Sequence, residues 1–277
     1  MSGPPPDGHA SNEAPPEAAR HGGAGATELV AASGALPGPG GPAAPGRMRL
    51  DLHCHTEASR DSITPLSAIP ARLTARGISV QAITDHNEIW GAQKLQSMCH
   101  GTGLTIIVGE EISTRDGEII GLFLTECIPS GLSAEETVGR IKAQGGLVSL
   151  PHGFDPLKVH RLAPTARERV QADLDIVETF NARISRPTWN RAAAAFAHEN
   201  RVAAASGSDA HRLADFGEAW VDTPARRIDN PKDLLDALQV GTVMGQWTHP
   251  VIAFGLKAID FARHGLRRGA PPAAGHP

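Results

Sequence analysis

The stretch of sequence that decides the fold is DLHCHTEASRDS, residues 51–62. In an extended strand His53 and His55 project from the same face, because they are two residues apart, and both can therefore reach one metal ion. Cys54 between them should point the other way. Asp61 follows six residues after the second histidine and adds a carboxylate. One such histidine pair is weak evidence alone, so further ligands must be sought along the chain.

The composition of the chain restricts the classes of function that it can have. Of its 277 residues 40% are hydrophobic, which is ample for a buried core. The formal net charge of −4 provides no basic surface for a long nucleic acid, so a small or locally bound substrate is favoured. The three cysteines form no CxxC pair, which argues against a disulfide framework. No apolar run approaches the ~18 residues of a membrane helix, and we expect a soluble, cytoplasmic protein without a membrane partner.

The two ends of the chain have a composition typical of disorder. Residues 1–47 are dominated by Pro, Gly and Ala, which bury too little apolar surface to offset the entropy of ordering. Residues 265–277 have the same character. We therefore expect two disordered tails and one folded domain at 48–264. The first tail has neither the basic region of a secretory signal nor the arginines of a transit peptide, and a functional chain is expected to need nothing before Met48.

Short apolar runs alternate with amphipathic stretches throughout the predicted domain. The runs that predict strands are MRLDLHCH, VQAITDH, LTIIVGEEIST, EIIGLFLT, GLVSLPH, LDIVETFN, RVAAASGSD and EAWVDT. Helices are predicted at 65–77, 88–100, 133–144 and 188–200. Ser133 with Glu136 forms a capping box, and Asn230 before Pro231 marks a further helix start. This alternation predicts an α/β domain with a parallel sheet.

The polar residues favour a closed barrel over an open doubly wound sheet. Nearly every predicted strand ends in His, Asp, Glu or Asn, and a barrel brings many strand ends to one central mouth. Of the thirteen histidines, five stand at such positions: His53, His55, His86, His152 and His211. Imidazole and carboxylate ligands together suit Zn, Mn or Fe rather than Ca or Mg, and more than four ligands imply more than one ion.

The motifs of this chain occur in an order that resembles a known family. The series DLHCHTEASRDS, AITDHNEIWGA, IVGEEIST, SLPHGFDP, VETFNAR and SGSDAH is similar to the PHP (polymerase and histidinol phosphatase) domain, from about Met48 to about Thr223. The resemblance implies a distorted (β/α)7 TIM-like barrel with a multinuclear metal site at the carboxyl ends of its strands. It also implies the hydrolysis of phosphate esters.

The resemblance further implies two to three divalent transition-metal ions, Mn, Fe or Zn, and a set of ligands for each. The first ion takes His53, His55, Glu111 and Asp209; the second takes His152 and shares Glu111; the third takes Asp61, His86 and His211. Glu111 is preferred to Glu110 because it matches the family's G-x-E pattern, and adjacent strand residues face opposite ways.

Two departures from the family pattern concern the second ion and the phosphate. Glu118 stands where many relatives have a histidine, which adds negative charge and favours a harder metal such as Mn or Fe; the alternative is a weaker or empty second position. In the loop PHGFDPLK, Gly153 replaces a proline, and Pro156 and Leu157 stand where related chains often carry arginine. Lys158 is expected to compensate for the missing arginine.

Hydrolysis would need cationic donors for the phosphate group and no protein nucleophile. The candidates for substrate binding are Arg60, Arg115, Lys158, Asn181 and Arg183, with Asn181 holding either a substrate hydroxyl or its own loop. His160 and His249 are candidates for donating a proton to the leaving group, but no sequence feature distinguishes them from ordinary surface residues.

The leading hypothesis is a metal-dependent phosphoesterase that acts on a small phosphorylated metabolite or a nucleotide. An alternative is a catalytically weak PHP module that serves as a metal-stabilised interaction or regulatory domain. A third hypothesis, an amidohydrolase-type barrel, is disfavoured because it needs a metal-bridging lysine after a later strand, and no predicted strand ends in lysine.

Overall fold

Short runs of β-branched and apolar residues form the strands of this computed structural model, which describes residues 41–268 together with Met1 and Gly3. The strands are β1 (Arg47–Asp51), β2 (Val80–Ile83), β3 (Thr105–Thr114), β4 (Gly117–Leu122), β5 (Leu147–Leu150), β6 (Ile176–Asn181), β7 (Ala203–Gly207), β8 (Ala219–Pro224) and β9 (Thr242–Gly245). The α-helices are α1 (Ile69–Arg76), α2 (Trp90–Met98), α3 (Ala134–Ala143), α4 (Pro164–Val170), α5 (Pro187–Asn200), α6 (Pro231–Gln239) and α7 (Pro250–Arg268).

All the described strands belong to one sheet in the order β7-β6-β5-β4-β3-β2-β1-β8-β9. The sheet curls until the carboxyl end of β1 meets that of β7. Leu52 N donates to Ser206 O at 3.1 Å, and Asp209 N donates to His53 O at 2.8 Å. The result is the nearly closed α/β barrel that the sequence predicts.

The prediction of a parallel sheet is wrong for β4 and β8, and the unpredicted strand β9 is also antiparallel to its neighbour. β4 is antiparallel to both β3 and β5, β8 is antiparallel to β1, and β9 is antiparallel to β8. Only residues 115 and 116 separate β3 from β4, which suffices for a hairpin but not for the crossover that parallel strands require. This hairpin is the principal distortion of the barrel.

The four predicted helices correspond to α1, α2, α3 and α5. The capping box forms as expected, since Ser133 Oγ accepts from Glu136 N at 3.1 Å and Glu136 Oε2 accepts from Ser133 N at 2.8 Å. Asn230 caps α6 with Pro231 in its first turn. The sequence did not predict α4, α7 or β9. Among the described residues no helix is both long and apolar enough for a membrane crossing.

The boundaries of the folded part differ by a few residues from those predicted. β1 begins at Arg47, and α7 continues to Arg268. The rest of both predicted tails, apart from Met1, Gly3 and 41–46, lies outside the described residues. Residues 41–46 contact the barrel: Gly41 O accepts from Arg49 Nη1 at 3.0 Å, and Gly46 O accepts from Ala225 N at 2.8 Å. We therefore move the expected start of the required chain from Met48 to Gly41.

Two apolar clusters hold the barrel together. One lies between the strands and helices α1 to α5 and includes Leu73, Leu95, Ile141 and Val177. The other joins residues of the strands, such as Leu50, to the buried face of α6. Their burial supplies the main driving force of folding, and it leaves the carboxyl ends of the strands available for polar side chains.

Candidate metal centre

The side chains that the sequence nominates as metal ligands converge near the carboxyl ends of β1, β2, β3, β5 and β7 and at the amino end of the antiparallel strand β4. We call them the candidate metal centre: His53, His55, Asp61, His86, Glu111, Glu118, His152, Asp209 and His211. Three overlapping groups of these residues have ligand atoms that all lie within 4.8 Å of one another. The groups are His53, His55 and Glu111; His86, Glu111 and Glu118; and His55, Asp61, His86 and His211.

The residues expected to hold the first ion surround one point below the mouth of the barrel. The two Nε2 atoms of His53 and His55 are 3.2 Å apart. Glu111 Oε2 lies 3.4 Å and 3.3 Å from them. Asp209 Oδ1 lies 3.9 Å from His53 Nε2 and 3.6 Å from His55 Nε2. All four side chains are buried, so any ion held there would be shielded from bulk water.

The two oxygens of Glu111 face different neighbours. While Oε2 faces the first pair of histidines, Oε1 lies 3.0 Å from His152 Nε2. Glu118 completes this second group, with Oε2 3.8 Å from His152 Nε2 and Oε1 3.6 Å from His86 Nδ1. A carboxylate in the position of Glu111 can bridge two ions, and Glu118 lies where a further ligand of the second ion would be.

The third group lies nearer the surface. His211 Nε2 is 2.7 Å from Asp61 Oδ2, and His86 Nε2 is 3.7 Å from Asp61 Oδ1. That Oδ1 atom is buried and has no hydrogen-bond partner among the described residues. A buried carboxylate oxygen without a partner is costly, and an ion between Asp61 and His86 would remove the cost. The imidazole and carboxylate donors of the whole centre fit divalent transition metals.

Glu178, in the middle of β6, orients the ligands and was not assigned a role from the sequence. Its Oε1 lies 2.9 Å from His53 Nδ1, while its Oε2 accepts from His152 N at 2.7 Å and from Asn181 Nδ2 at 3.0 Å. By holding the proton on Nδ1, Glu178 leaves Nε2 of His53 free to bind an ion. A buried acid in the apolar run LDIVETFN was the available signal.

A second set of hydrogen bonds that orients a candidate ligand begins at Asp85. Its Oδ1 accepts from Ser59 Oγ at 2.9 Å, and Ser59 Oγ lies 3.2 Å from His55 Nδ1. Ser59 Oγ also accepts from His86 N at 3.0 Å. Asp85 therefore fixes the loop after β1 and, through Ser59, the ring of His55. The sequence placed Asp85 at a strand end without giving it this role.

The centre carries more negative charge than its histidines balance. Burial raises the pKa of Glu118 to about 9, and repulsion from Glu111 and Asp209 adds to the effect. Although burial opposes it, the pKa of Glu111 is held well below its usual range by His53 and His152. The pKa of Asp209 is also held well below its usual range, against burial, by Lys158 and His53. Bound cations would relieve the repulsion that keeps Glu118 protonated.

Two residues of the centre lie in a backbone conformation that side chains rarely adopt. His152 has φ 28° and Asp209 has φ 51°. Such strain persists where the surroundings fix it, and it is concentrated at functional sites. Here it turns side chains that follow β5 and β7 toward the axis of the barrel.

Of the five residues nominated for substrate binding, three contact the centre. Lys158 Nζ lies 2.5 Å from Asp209 Oδ2, and Arg183 Nη1 donates to Asp209 O at 2.9 Å. Asn181 is fully buried; its Nδ2 donates to Glu178 and Asp209, and its Oδ1 accepts from Arg183 N. These contacts indicate that Asn181 supports its own loop rather than a substrate hydroxyl.

The other nominated arginines point elsewhere. Arg60 is exposed, and Arg115 pairs with Glu136 at 3.4 Å on the surface. The side chains of His160 and His249 are also exposed, which leaves them without a place in the centre. Glu110 turns away from Glu111 and accepts from Ile128 N at 2.8 Å, and Cys54 Sγ faces Ala82 O at 3.2 Å.

Comparison with known proteins assigns the chain to a family. The model of the PHP domain matches residues 51–173, and that of the PHP-associated region matches residues 187–243. The chain therefore belongs to the PHP domain family, and its fold is that of metal-dependent phosphoesterases.

Individual relatives agree with this assignment. An uncharacterized protein of Methanocaldococcus jannaschii is 42% identical over 146 residues, which cover 49% of this chain and 82% of the relative. A two-domain protein from Bacteroides vulgatus, containing a predicted PHP-like metal-dependent phosphoesterase, superposes with a TM-score of 0.60 at 16% identity, covering 74% of this chain and 67% of that one. The lesion-specific endonuclease PfuEndoQ of Pyrococcus furiosus gives a TM-score of 0.50 at 13% identity, with 72% and 58% covered.

Proposed function

We propose that the protein hydrolyses phosphate esters at the candidate metal centre, with two to three divalent transition-metal ions (Mn, Fe or Zn) as cofactors. One observation carries the proposal: seven imidazole and carboxylate side chains form three overlapping groups of candidate ligands, two of which share Glu111, and His152 and Asp209 lie beside them. The position of Glu178 behind His53 supports it, because a carboxylate there fixes the ring nitrogen that an ion needs.

The chain's own contribution to catalysis is to bind the phosphate group and to shield the site from bulk solvent. When bound, divalent ions lower the pKa of coordinated water toward ~7 and stabilise charge on the phosphoryl group. Lys158 and Arg183 place cationic donors at one side of the centre, next to Asp209, where phosphate oxygens can accept hydrogen bonds. The burial of His53, His55 and Glu111 keeps the surroundings at low polarity, which strengthens these interactions.

The proposed substrate is a small phosphorylated metabolite or a nucleotide. The net charge of −4 supports a short substrate, because a long nucleic acid needs an extended basic surface. Since one structure of similar fold is an endonuclease, oligonucleotides belong in the test beside the small molecules.

The proposal is tested on the full chain, expressed with Mn, Fe or Zn supplied in turn. Bound metal is measured by mass spectrometry, and hydrolysis is measured over phosphorylated metabolites, nucleotides and oligonucleotides, with and without a chelator. We expect metal-dependent turnover that is lost in His53→Ala and Asp209→Ala, because each removes a ligand of the first ion. His198→Ala, at an exposed position of α5, is the matched control.

Two results would contradict the proposal. Hydrolysis that survives complete removal of metal would exclude the metal-activated reaction. Stoichiometric metal without turnover of any ester would favour the alternative of a metal-stabilised interaction domain.

A further inference from the structure

Helix α7 lies beyond the segment matched as PHP-associated, which ends at residue 243, and yet it reaches the candidate metal centre. Lys257 Nζ lies 2.9 Å from Asp61 Oδ2. The lysine side chain is only 19% exposed, so its charge is held in the mouth of the barrel rather than in bulk solvent. Neither family match includes this residue, and no sequence pattern selects it.

The segment before α7 is fastened to the loop that carries Arg183. Thr248 N donates to Ala182 O at 2.9 Å, and Trp247 Nε1 donates to Ile184 O at 2.7 Å. These two bonds flank Arg183 on both sides in sequence. The start of α7 is therefore fixed beside one cation of the centre.

Further along, α7 is fastened to the loop after β7. Arg212 Nε donates to Asp260 Oδ2 at 2.6 Å, and this pair is largely shielded from solvent. Asp260 lies three residues after Lys257, so both side chains project from the same face of the helix. The helix thus crosses from the loop after β6 to the loops that carry His211 and Asp61.

Among the α7 side chains that the structure describes, polar ones lie on the inward face. The face that carries Ala253, Lys257 and Asp260 is turned toward the protein, whereas Ile252 and Ile259 are 56% and 48% exposed. A helix kept only for core packing turns its apolar stripe inward. Lys257 instead turns inward and pairs with Asp61 at the metal centre. This position fits a side chain that binds anions better than one that serves apolar packing.

The contacts of Asp61 show which part of the centre Lys257 serves. Asp61 Oδ2 accepts from Lys257 and lies 2.7 Å from His211 Nε2, while Oδ1 faces His86 and has no hydrogen-bond partner among the residues that the structure describes. The lysine therefore occupies the outer oxygen and leaves the inner one for an ion. Next to bound ions a lysine is repelled unless an anion lies between them.

Building on the proposed function, we propose that Lys257 binds the phosphate of the substrate and that α7 makes the site selective for phosphomonoesters. With Lys158 and Arg183, it gives the mouth three cationic side chains. A terminal phosphate carries almost two negative charges near neutral pH and three oxygens that accept hydrogen bonds, whereas the phosphate of an internal diester carries one charge and has two such oxygens. The helix across the mouth also disfavours a continuous strand.

The experiment compares Lys257→Met and Lys257→Arg with the full wild-type chain. The matched control is Lys232→Met, because Lys232 is 80% exposed on α6 and pairs only with neighbouring Asp236 in the part described. Three quantities are measured: kcat and KM on p-nitrophenyl phosphate and on bis(p-nitrophenyl) phosphate, the Kd of inorganic phosphate by calorimetry, and the metal content.

We expect Lys257→Met to weaken phosphate binding by about ten- to a hundredfold, the effect of losing one charge-assisted hydrogen bond. The value of kcat/KM for the monoester should fall by a similar factor, mainly through KM, while the diester is affected less and metal content is retained. Lys257→Arg should restore most of the phosphate affinity, because it keeps the charge.

Unchanged phosphate affinity in Lys257→Met would overturn the inference. So would equal losses on both esters together with lost metal, since that result would make Lys257 a positioning residue for Asp61. A wild-type chain that hydrolyses neither these two esters nor any member of the substrate panel would refute the proposed function alone, because phosphate affinity is measured without turnover and still decides the role of Lys257.

Discussion

Replacing Glu178 with glutamine tests the reasoning about the candidate metal centre without removing a ligand. The carboxylate has hydrogen-bonding partners on both oxygens, with His53 on one, and His152 N and Asn181 on the other. Glutamine has the same shape but only one acceptor oxygen. If that oxygen takes the side with two donors, the amide NH2 faces His53 Nδ1, which must then give up its proton.

The consequence for the ion follows from the two nitrogens of the ring. With Nδ1 as acceptor, the proton of neutral His53 moves to Nε2, the atom that lies 3.2 Å from His55 Nε2 and faces the first ion position. A protonated nitrogen cannot bind a metal. Loss of an orienting partner of this kind costs about 10- to 100-fold in metal affinity, or about 1.4 to 2.7 kcal/mol.

The assay is a competitive titration of the metal-free chain with Zn or Mn against a chromophoric chelator. The control is Glu199→Gln, which makes the same charge change at an exposed position of α5. Glu178→Gln should weaken the tightest site while the melting temperature of the metal-free chain stays close to that of the wild type. Wild-type metal affinity in Glu178→Gln would refute the idea that Glu178 sets the tautomer of His53.

Three other changes test separate parts of the structure. Gly207→Ala would place a methyl group against the buried Glu178 carboxylate of β6, so metal titration should show weaker metal binding. Unchanged metal affinity would mean that β6 and β7 can move apart to make room for the methyl group. A chain that begins at Met48 lacks the Gly41 carbonyl that accepts a hydrogen bond from the buried Arg49 guanidinium. Relative to a chain that begins at Gly41, its free energy of unfolding should fall by about 2 kcal/mol and its melting temperature by roughly 4 to 8 °C, as measured by thermal unfolding. Glu118→Gln should weaken the second ion and Glu118→His should shift preference toward Zn; unaltered metal content in both would place this residue outside the ligand set.

The barrel was predictable because its strands follow simple rules of pattern. Apolar runs, a capping box at Ser133 and a proline after Asn230 are local signals, and the structure uses all of them. The direction of β4 was not predictable in the same way, because a parallel strand and an antiparallel one have the same apolar pattern. The two-residue connection between β3 and β4 was the missed clue, since it excludes a crossover helix.

The candidate ligands could be nominated because they stand at strand ends in a known order. The sequence also nominated Lys158 and Arg183 for the phosphate, but it could not show which carboxylates the cations contact, and it did not select Lys257. Lys158 and Lys257 are 51 and 196 residues away from their carboxylate partners Asp209 and Asp61, and no local pattern encodes contacts of that range. Glu178 is an intermediate case, because a buried acid in an apolar strand is visible in the sequence but its partner is not.

The charge of the centre connects these observations. Glu111, Asp209 and Glu118 lie close together among buried histidines, and burial together with repulsion from the other two carboxylates raises the pKa of Glu118 to about 9. Lys158 and Arg183 contact Asp209, and Lys257 contacts Asp61. Divalent ions would provide the remaining charge from within the ligand set. With the ions bound, Lys158 and Lys257 would bind an incoming phosphate. Metal binding would in this way promote substrate binding.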